Sequence, residues 1–425
     1  MRASKLALLG GEPLCTLPPP RDRFPRVSRK AINELVARLE EHRQVDLNGH
    51  RTAEGRLQNY HGGGYPLLVS SGTAALQVAL ASLGVGPGDE VITSPYSWGA
   101  TTACILHLGA VPKFTDVVRE TGLMDPDTIE PLITCKTKAI LPVHIYGQAA
   151  DMTRICRIAR KHGLLVVEDG SQAHGSLWKG KKVGLFGDAA GFSCMGGKLL
   201  ASTEAGYVIF RRRKHYNVAL TLCQHTARAK EPGFPAKWRP YWDSLFYNFR
   251  ICMLAADILA EQVPKLDREL VVRRANVNAL RQELAGSRFL SFPTYPNGCK
   301  PSYHMLTANF DFEGAGIARD TFTSAVSAEG CAVGHYVHSP IPTWRRINWQ
   351  GYNGPPAPWL RSLKEANVDY RTLRFPNCEW KIAHAVEFGM NYLRRESRRM
   401  RSFARCILKV EQNLDALRKW ERGQE

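Results

Sequence analysis

The sequence predicts an α/β protein with a large domain built on a mainly parallel central sheet and a smaller α+β domain at the C-terminus. Short apolar strands alternate with helical segments between residues 66 and 168, and the apolar run Leu164–Val167 ends in two acids. Repeated strand–helix units of this kind form parallel sheets with right-handed crossovers. A chain of 425 residues is also too long for one ordinary core, so that two domains are expected.

Three regions follow one another along the chain. Residues 1–30 are rich in proline and predict an arm that packs on a domain surface. Residues 31–266 form the predicted large domain, and residues 267–425 the smaller one. A helical pattern from Met253 towards Leu284 bridges the two domains, and a long helix over 388–417 is predicted to close the chain.

The elements of the large domain are predicted from apolar periodicity and from turn residues. An amphipathic helix at 31–39 leads through a less regular stretch, 45–60, to a glycine-rich turn at 61–64, which we interpret as a plain turn. Beyond this turn the pattern predicts strands at 66–70, 89–94, 111–117, 137–143 and 164–168, and helices at 74–83, 100–108 and 150–162.

The turn between the first of these strands and its helix could bind an anion. Ser71, Gly72 and Thr73 precede a helix of good helix formers. Backbone N–H groups at a helix N-terminus are unpaired and carry roughly half a positive charge, so that a phosphate binds there without a lysine. The alternative is an ordinary Ser/Thr cap of the helix.

The acid at the end of the strand 164–168 and a later lysine together predict a cofactor. Asp169 stands at the carboxyl end of a strand, where open α/β sheets bind ligands, and Lys198 follows Ser193–Gly197. A carboxylate holds a pyridinium nitrogen protonated, and a partly desolvated lysine forms a Schiff base with an aldehyde. Both functions suit pyridoxal 5'-phosphate (PLP). Taken alone, an acid at a strand end is more often a surface cap or an ion-pair partner.

Three motifs add a family resemblance. Glu168–Gly175 is similar to an EDAAQAHGA segment, Ser193–Leu200 to a Schiff-base segment, and Ser70–Leu76 to a phosphate-binding turn. In this order they resemble the DegT/DnrJ/EryC1/StrS aminotransferases, the sugar and aminocyclitol branch of the fold-type I PLP enzymes. The resemblance extends from about Leu6 to about Leu417. It implies the fold-type I scaffold and PLP as cofactor, with pyridoxamine phosphate as its intermediate form.

The resemblance also implies roles for single residues. Lys198 would be the covalent anchor and general acid/base, and Asp169 the partner of the pyridinium nitrogen. Trp98 would stack on the ring, where core packing is the commoner fate of a lone tryptophan, and Gln172 would contact the side of the ring hydroxyl. The implied contacts to the cofactor phosphate are Ser71, Gly72, Thr73, Ser193 and Asn248. Since Asn248 reaches the neighbouring subunit's phosphate in the family, a homodimer with shared active sites is expected.

The substrate side of the site is less defined. His174, Tyr336 and His304 are candidates for substrate contacts, although His304 could equally be an ordinary polar histidine. Ser202–Gly206 departs from the Gly-Glu-Gly-Gly that the family places after its lysine, which puts the loop conformation and the substrate pocket in doubt. We interpret Cys194 as a wall residue.

Composition limits the partners. With 44% hydrophobic and 23% charged residues and no long apolar run, we expect a cytoplasmic globular protein that binds no membrane. Eleven scattered cysteines without a C-x-x-C pair indicate reduced thiols and no metal site. The net charge of +18 is concentrated in Arg211–Lys214 and Arg394–Arg401, which we interpret as solvated faces, not as a surface for nucleic acid. A phosphorylated or nucleotide-linked substrate is the functional alternative.

Together these features predict a PLP-dependent aminotransferase. The family resemblance implies that it moves an amino group from glutamate or glutamine to a keto-sugar or keto-cyclitol. Such an enzyme would serve the biosynthesis of amino sugars or of antibiotics. The alternatives are another PLP-dependent reaction on the same scaffold, either elimination (dehydration) or C–N or C–C bond formation, and a PLP-binding regulatory protein.

Overall fold

Three sheets organise the fold. A computed structural model describes residues 5–18, 27–40, 48–242 and 247–424. Its strands form a 7-stranded sheet, a 4-stranded sheet and a 2-stranded hairpin. The strands are β1 (Tyr65–Val69), β2 (Glu90–Thr93), β3 (Val111–Phe114), β4 (Thr137–Leu141), β5 (Leu165–Asp169), β6 (Leu177–Trp178), β7 (Lys181–Lys182), β8 (Ala189–Ser193), β9 (Gly206–Phe210), β10 (Leu290–Ser291), β11 (Met305–Phe310), β12 (Val333–Gly334) and β13 (Ala385–Gly389).

Helices cover the faces of the two larger sheets, with short 3₁₀ turns between some of them. The α-helices are α1 (Arg29–Glu40), α2 (Asn48–His61), α3 (Gly72–Ser82), α4 (Ala100–Leu106), α5 (Met152–His162), α6 (Arg213–Cys223), α7 (Met253–Gln262), α8 (Leu266–Glu283), α9 (Phe312–Ala315), α10 (Arg319–Ala328), α11 (Leu360–Glu365), α12 (Pro376–His384), α13 (Ser397–Gln412) and α14 (Leu414–Arg422).

The large sheet has the strand order β1-β9-β8-β5-β4-β2-β3 and is mainly parallel, as predicted. Only the pairs β1–β9 and β8–β9 are antiparallel. Successive residues of a strand point to opposite faces. Accordingly, Val167 packs with α3 on one face, while its neighbour Val166 packs with α5 on the other. The carboxyl ends of β5 and β8 therefore meet at one edge of a sheet that is covered on both sides.

The 4-stranded antiparallel sheet forms the core of the small domain, in the order β10-β11-β13-β12. Helices α8, α10 and α13 pack their apolar residues on it. The N-terminal residues 5–18 join this core, because Leu6 is 1% exposed and Cys15 is 7% exposed within the same cluster. The predicted arm thus contributes side chains to a domain interior, while residues 1–4 and 19–26 lie outside the described residues.

A buried ion pair attaches this N-terminal segment. Glu329, fully buried after α10, accepts hydrogen bonds from the backbone N–H groups of Ala7 at 2.8 Å and Leu14 at 3.0 Å. Lys409 on α13 donates to the same carboxylate at 2.8 Å. The carboxylate therefore joins three parts of the chain that are far apart in sequence.

The division at 266 and 267 stays a prediction, and the core clusters cross it in two places. Helix α8 begins among large-domain side chains at Leu266 and ends among small-domain side chains at Leu280 and Leu284. The segment 337–378 packs on the large sheet, where the hydroxyl of Tyr370 donates to the Pro112 carbonyl at 2.7 Å. Residues of the C-terminal part therefore cover one edge of the large domain.

Two element predictions were wrong. The stretch 45–60 was expected to be irregular, but α2 occupies Asn48–His61, because Ala53 and Leu57 are fully buried in the cluster that α7 also joins. Residues 41–47 lie outside the described residues. The closing helix over 388–417 was also wrong in its start. The strand β13 comes first, and two helices, α13 and α14, follow it.

The remaining predictions of local structure can be compared directly. The helix at 31–39 is confirmed as α1, and the turn at 61–64 is confirmed by positive φ angles at Gly62, Gly63 and Gly64. The helix from Met253 towards Leu284 is present but is divided into α7 and α8 by a 3₁₀ turn at Val263–Lys265 that contains Pro264.

The described residues also bear on the composition arguments. No helix in them has the length and apolar character needed to cross a bilayer. All eleven cysteines are free thiols, of which Cys135 and Cys252 are exposed. The basic residues Arg394, Arg395 and Arg398 are exposed near the start of α13.

Candidate active site

A cavity of about 470 Å³ opens at the carboxyl ends of β5 and β8, where the small-domain strands β11 and β13 face them. Every site residue that the sequence predicted lines this cavity, apart from His174 and Asn248. The large domain contributes Ser71, Gly72, Thr73, Trp98, Asp169, Gln172, Ser193 and Lys198, and the C-terminal part contributes His304 and Tyr336.

Asp169 is held in one orientation. Its side chain, on a residue that is 4% exposed, accepts a hydrogen bond from the Thr101 hydroxyl at 2.7 Å and from the Ser171 N–H at 3.1 Å. The Thr101 hydroxyl is 2.8 Å from that of Ser97. A carboxylate with fixed hydrogen bonds presents its remaining lone pairs in a defined direction, as is needed to pair with a ligand cation.

Glu168, the acid before Asp169, has a different function that the sequence analysis did not find. It is fully buried on the opposite side of β5 and accepts hydrogen bonds from the N–H groups of Gly184, Phe186 and Gly187, each at 2.8 Å. The imidazole of His144 lies 3.1 Å from it. Glu168 therefore fixes the loop that leads to β8, and the alternation along the strand directs only Asp169 to the cavity.

Lys198 lies half-buried in the loop that connects β8 to β9. Its backbone N–H donates to the Met195 carbonyl at 2.8 Å, which fixes a tight turn before the lysine. Burial lowers the pKa of the Lys198 amine, while the charge of Asp169 raises it to a smaller extent. Because burial disfavours the ammonium form, a larger fraction of this amine is neutral and nucleophilic than of an exposed lysine.

The segment Ser202–Gly206 completes the loop between β8 and β9. Its backbone conformation does not require glycine at the positions of Thr203 and Ala205. Neither Thr203 nor Ala205 adopts a positive φ. The N–H of Cys194 donates to the Ala205 carbonyl at 2.8 Å, and the Ser202 hydroxyl to the Ala255 carbonyl at 3.0 Å. The departure from the family motif therefore leaves the backbone unstrained and places Glu204 on the cavity wall.

The turn before α3 is packed closely against the end of β8. Ser71 is the N-cap, and its hydroxyl accepts from the Ala74 N–H at 3.1 Å. A Cβ atom added to Gly72 would lie 2.5 Å from the Ser193 Cβ, and one added to Gly206 would lie 2.4 Å from the Ser71 carbonyl oxygen. Gly72 and Thr73 at the start of this helix line the cavity, and the close packing leaves room only for glycine at position 72.

Trp98 follows β2 and leaves much of its ring uncovered. It is 62% exposed, although it lines a cavity, and its ring centroid lies 5.9 Å from that of Tyr336. Exposing a tryptophan to this extent leaves apolar surface in water, which a flat ligand ring could cover.

A buried hydrogen-bond network connects the small domain to the floor of the cavity. Glu387 on β13 accepts from the Tyr336 N–H at 3.1 Å and is hydrogen-bonded to the Tyr146 side chain. The Tyr146 N–H donates to the Gln172 side chain at 2.7 Å, and Gln172 is in turn hydrogen-bonded to the Tyr336 side chain. We call these four residues the Glu387 network. Lys381, which donates to Asn309 at 2.6 Å, partly offsets the rise in the Glu387 pKa that burial causes.

The structure places the other two predicted residues outside the cavity wall. His174 is 1% exposed behind the wall, with its ring 5.1 Å from that of Phe192 and its Nε2 3.8 Å from the Cys194 Sγ. Burial lowers the pKa of His174 to about 3. Asn248 is exposed, and the carbonyl of its neighbour Phe249 accepts from the Ser70 N–H at 2.8 Å, next to the turn before α3. Its contact to a neighbouring subunit stays a prediction.

The chemistry of the cavity fits PLP. The cofactor has a ring nitrogen that pairs with a carboxylate, an aldehyde that reacts with an amine, and a phosphate. The cavity offers Asp169 for the first, Lys198 for the second, and the N–H groups of Gly72 and Thr73 for the third. The uncovered face of Trp98 suits the flat ring.

Comparisons with known proteins agree with this chemistry. The sequence model of the DegT/DnrJ/EryC1/StrS aminotransferase family matches residues 27–357. An L-glutamine:2-deoxy-scyllo-inosose aminotransferase of Streptomyces fradiae is 32% identical over an alignment of 428 positions that covers 96% of this chain and 97% of that protein. A GDP-perosamine synthase of Caulobacter vibrioides is 32% identical over an alignment of 330 positions that covers 74% of this chain and 86% of that protein.

A solved structure supports the fold. The aminotransferase from Psychrobacter cryohalolentis superposes with a TM-score of 0.81 at 24% identity, covering 93% of this chain and all of that one. At this identity the match concerns the fold alone. It confirms the predicted scaffold of a large α/β domain with a smaller domain beside it.

Proposed function

Because the chain belongs to the DegT/DnrJ/EryC1/StrS aminotransferase family, whose enzymes use PLP, we propose that it transfers an amino group from glutamine or glutamate to a keto-cyclitol or keto-sugar. The observation that carries the proposal is that Asp169 and Lys198 line one cavity together with the turn before α3 and the exposed ring of Trp98. An acid, a half-buried amine and an anion site in one cavity are the parts that this chemistry needs.

Each of these residues has a separate function in the proposal. When bound, PLP supplies an electron sink that stabilises negative charge on the substrate carbon bearing the amino group. Asp169, oriented by Thr101, pairs with the protonated ring nitrogen. The N–H groups of Gly72 and Thr73 and the hydroxyl of Ser193 hold the phosphate, and Trp98 covers one face of the ring.

Lys198 moves the proton on which transamination depends. With the cofactor bound, its amine would take a proton from the substrate Cα and deliver it to C4′ of the cofactor, and in the second half-reaction it would work in reverse on the acceptor. The lowered pKa suits this task, because the amine must accept and release a proton near neutral pH. The cavity wall formed by both domains limits the access of water to the reacting atoms.

The relatives support a choice of substrates. The Streptomyces fradiae relative is named for L-glutamine as donor and a cyclitol ketone as acceptor, and we propose the same pair of substrate classes for this chain. The name of the Caulobacter vibrioides relative supports a nucleotide-linked sugar as the alternative acceptor. Screening ketone acceptors of both kinds with the aminated protein distinguishes them. If only the nucleotide-linked keto-sugar were aminated, the proposed acceptor would be that sugar and not the cyclitol.

Loading with the cofactor tests the proposal directly. The purified protein should take up PLP with a visible absorption band, and reduction with borohydride should leave the cofactor covalently attached to the Lys198 peptide. Lys198→Ala should lower the rate of transamination by about 1,000-fold or more, because both the covalent anchor and the proton carrier are lost. The matched control Lys364→Ala changes an exposed lysine on α11 and should leave the rate unaltered. A protein that takes up no PLP would refute the proposal.

A further inference from the structure

The small-domain wall of the cavity is formed by the ends of two neighbouring strands. Met305 on β11 pairs with Gly389 on β13 at the end of their register, so that His304 and Asn391 both lie just beyond this end of the sheet. Both residues line the cavity. The roles proposed above for Asp169, Lys198 and the phosphate turn leave this wall without a function.

His304 presents an unused polar atom there. The residue is 8% exposed, and its Nδ1 is buried without a hydrogen-bond partner among the described residues. Burial and the nearby charges of Lys198 and Arg273 hold the pKa of His304 well below its ordinary value, so that the ring is neutral and has one N–H to donate. The ring lines the cavity, and Nε2 is not among its buried atoms, so that this nitrogen is the one that a ligand in the cavity can reach.

Arg273 on α8 fixes the second group of the wall. Its Nη1 donates to the Asn391 Oδ1 at 2.9 Å and to the Tyr303 carbonyl at 3.1 Å. Because the amide oxygen of Asn391 is taken by the guanidinium, its NH₂ group is left to donate to the cavity. Tyr303 adopts a φ of 54°, a strained conformation for a tyrosine that persists where the surroundings impose it.

The charges around the cavity define where an anion can bind. Arg273 is 4% exposed, and burial lowers its pKa only to about 10, so that it remains a cation directly behind Asn391 at neutral pH. The acids on the cavity wall are Asp169 and Glu204, and these repel a carboxylate. Lys198 also lines the cavity, but its amine is assigned to the cofactor, so that a ligand carboxylate is directed to the wall of His304 and Asn391.

We propose that His304 and Asn391, with the Arg273 cation behind them, bind the α-carboxylate of the amino-acid donor. The inference rests on the proposed function, because an aminotransferase must bind an amino acid in the same cavity as a ketone. A neutral cyclitol ketone has no carboxylate. The hydrogen-bond donors of His304 and Asn391 therefore favour binding of the amino acid over the ketone. To the ketone acceptor they offer only ordinary hydrogen bonds to its hydroxyl groups.

Binding can be measured without turnover. The PLP-loaded protein carrying Lys198→Ala is titrated by calorimetry with L-glutamine and with the α-amide of L-glutamine, in which a neutral amide replaces the carboxylate. The same titrations are repeated after adding Asn391→Ala, His304→Phe or the matched control Asn297→Ala, which changes an exposed asparagine of the same domain. Comparing two ligands in each protein isolates the contact to the carboxylate.

We expect Asn391→Ala and His304→Phe each to weaken the binding of L-glutamine by roughly tenfold or more, as is typical for loss of a hydrogen bond to a charged group. The affinity for the α-amide should change less than twofold, and Asn297→Ala should change neither. Equal weakening of both ligands, unchanged affinity for glutamine, or no glutamine binding to the Lys198→Ala protein would overturn the inference. Failure of the proposed function is a separate result, namely absence of transamination in the protein that retains Lys198.

Discussion

At the scale of single residues, we expect the two neighbouring acids of β5 to have different functions. Glu168 contributes to stability, and Asp169 to the reaction. Asp169→Asn should lower the rate of transamination by roughly 100-fold or more, because a neutral amide no longer favours the protonated ring nitrogen. Single-turnover kinetics of the PLP-loaded protein measure this loss. The fold should be retained, because the amide oxygen can still accept from the Ser171 N–H, and the amide NH₂ can donate to the Thr101 hydroxyl, which accepts as well as donates.

The matched variant Glu168→Gln removes the other carboxylate of the pair. It should mainly lower the free energy of unfolding, by about 1–3 kcal/mol, because Glu168 accepts three backbone N–H groups and His144. Urea denaturation measures this change. If Glu168→Gln slowed the chemical step as much as Asp169→Asn does, the separation of functions would be wrong.

His174 predicts a dependence of stability on pH. Its pKa is about 3 in the folded protein because it is buried, whereas an unfolded histidine titrates near its ordinary value of 6.5. Between these values the unfolded chain binds the additional proton. The stability that the neutral ring contributes is therefore complete above pH 6.5 and is lost as the pH falls towards 3.

Replacing the ring tests this expectation. In His174→Phe the slope of unfolding free energy against pH in this range should decrease by at most about 1.4 kcal/mol per pH unit, which corresponds to one proton. An unaltered slope in His174→Phe would show that this histidine is not buried as a neutral ring.

At the scale of elements, the start of α3 should tolerate no side chain at Gly72, its first residue. Gly72→Ala should weaken the binding of PLP by about tenfold or more, because the new Cβ would lie 2.5 Å from that of Ser193 and would displace the phosphate cradle. Equilibrium titration of the unloaded protein with PLP measures the affinity. Gly86→Ala is the matched control, since no atom lies within 4 Å of its added Cβ, and wild-type affinity in Gly72→Ala would contradict the assigned phosphate site.

The strand–helix units of the large domain could be predicted from the sequence because each has its own apolar period and its own turn. Helix α2 could not be predicted in this way. It has few apolar residues, and the burial of Ala53 and Leu57 that stabilises it depends on α7, which lies far away in sequence. β13 was missed for a related reason, since Glu387 is polar and yet buried within a 5-residue strand.

The site could be predicted in part for the same physical reason. Short contiguous motifs contain Asp169, Lys198 and the turn at Ser71–Thr73, so that these residues can be identified from the neighbouring sequence alone. The Glu387 network and the wall of His304 and Asn391 arise only when β11 and β13 pair, and no short motif records that contact. A buried acid within a short apolar run, as at Glu387, is the signal that could have indicated the network.

At the scale of the whole molecule, a dimer with shared sites remains our proposal. Asn248 is exposed, but its segment is attached beside the phosphate turn, which supports a contact to a site formed by another copy. If each site needs Lys198 from one subunit and Asn248 from the other, mixing the inactive variants Lys198→Ala and Asn248→Ala should restore part of the activity. One site in each mixed dimer is then intact.

Mixing Lys198→Ala with Asp169→Asn is the control for this experiment. Both residues line the cavity of a single chain, so that a mixed dimer has no intact site and should stay inactive. Recovery in both mixtures would indicate exchange or contamination with active protein. No recovery in the first mixture would place Asn248 outside the partner's site.

The buried ion pair of Glu329 and Lys409, which holds residues 5–18, has a consequence for the order of folding during synthesis. Residues 5–18 are translated before the large domain, but the contacts that hold them need Glu329 and Lys409, which are translated after it. The large domain can fold before residues 5–18 have bound to the small domain, because domains tend to fold as they emerge from the ribosome. Completion of the small domain, and with it the second wall of the cavity, is therefore delayed until the helix that carries Lys409 has been made.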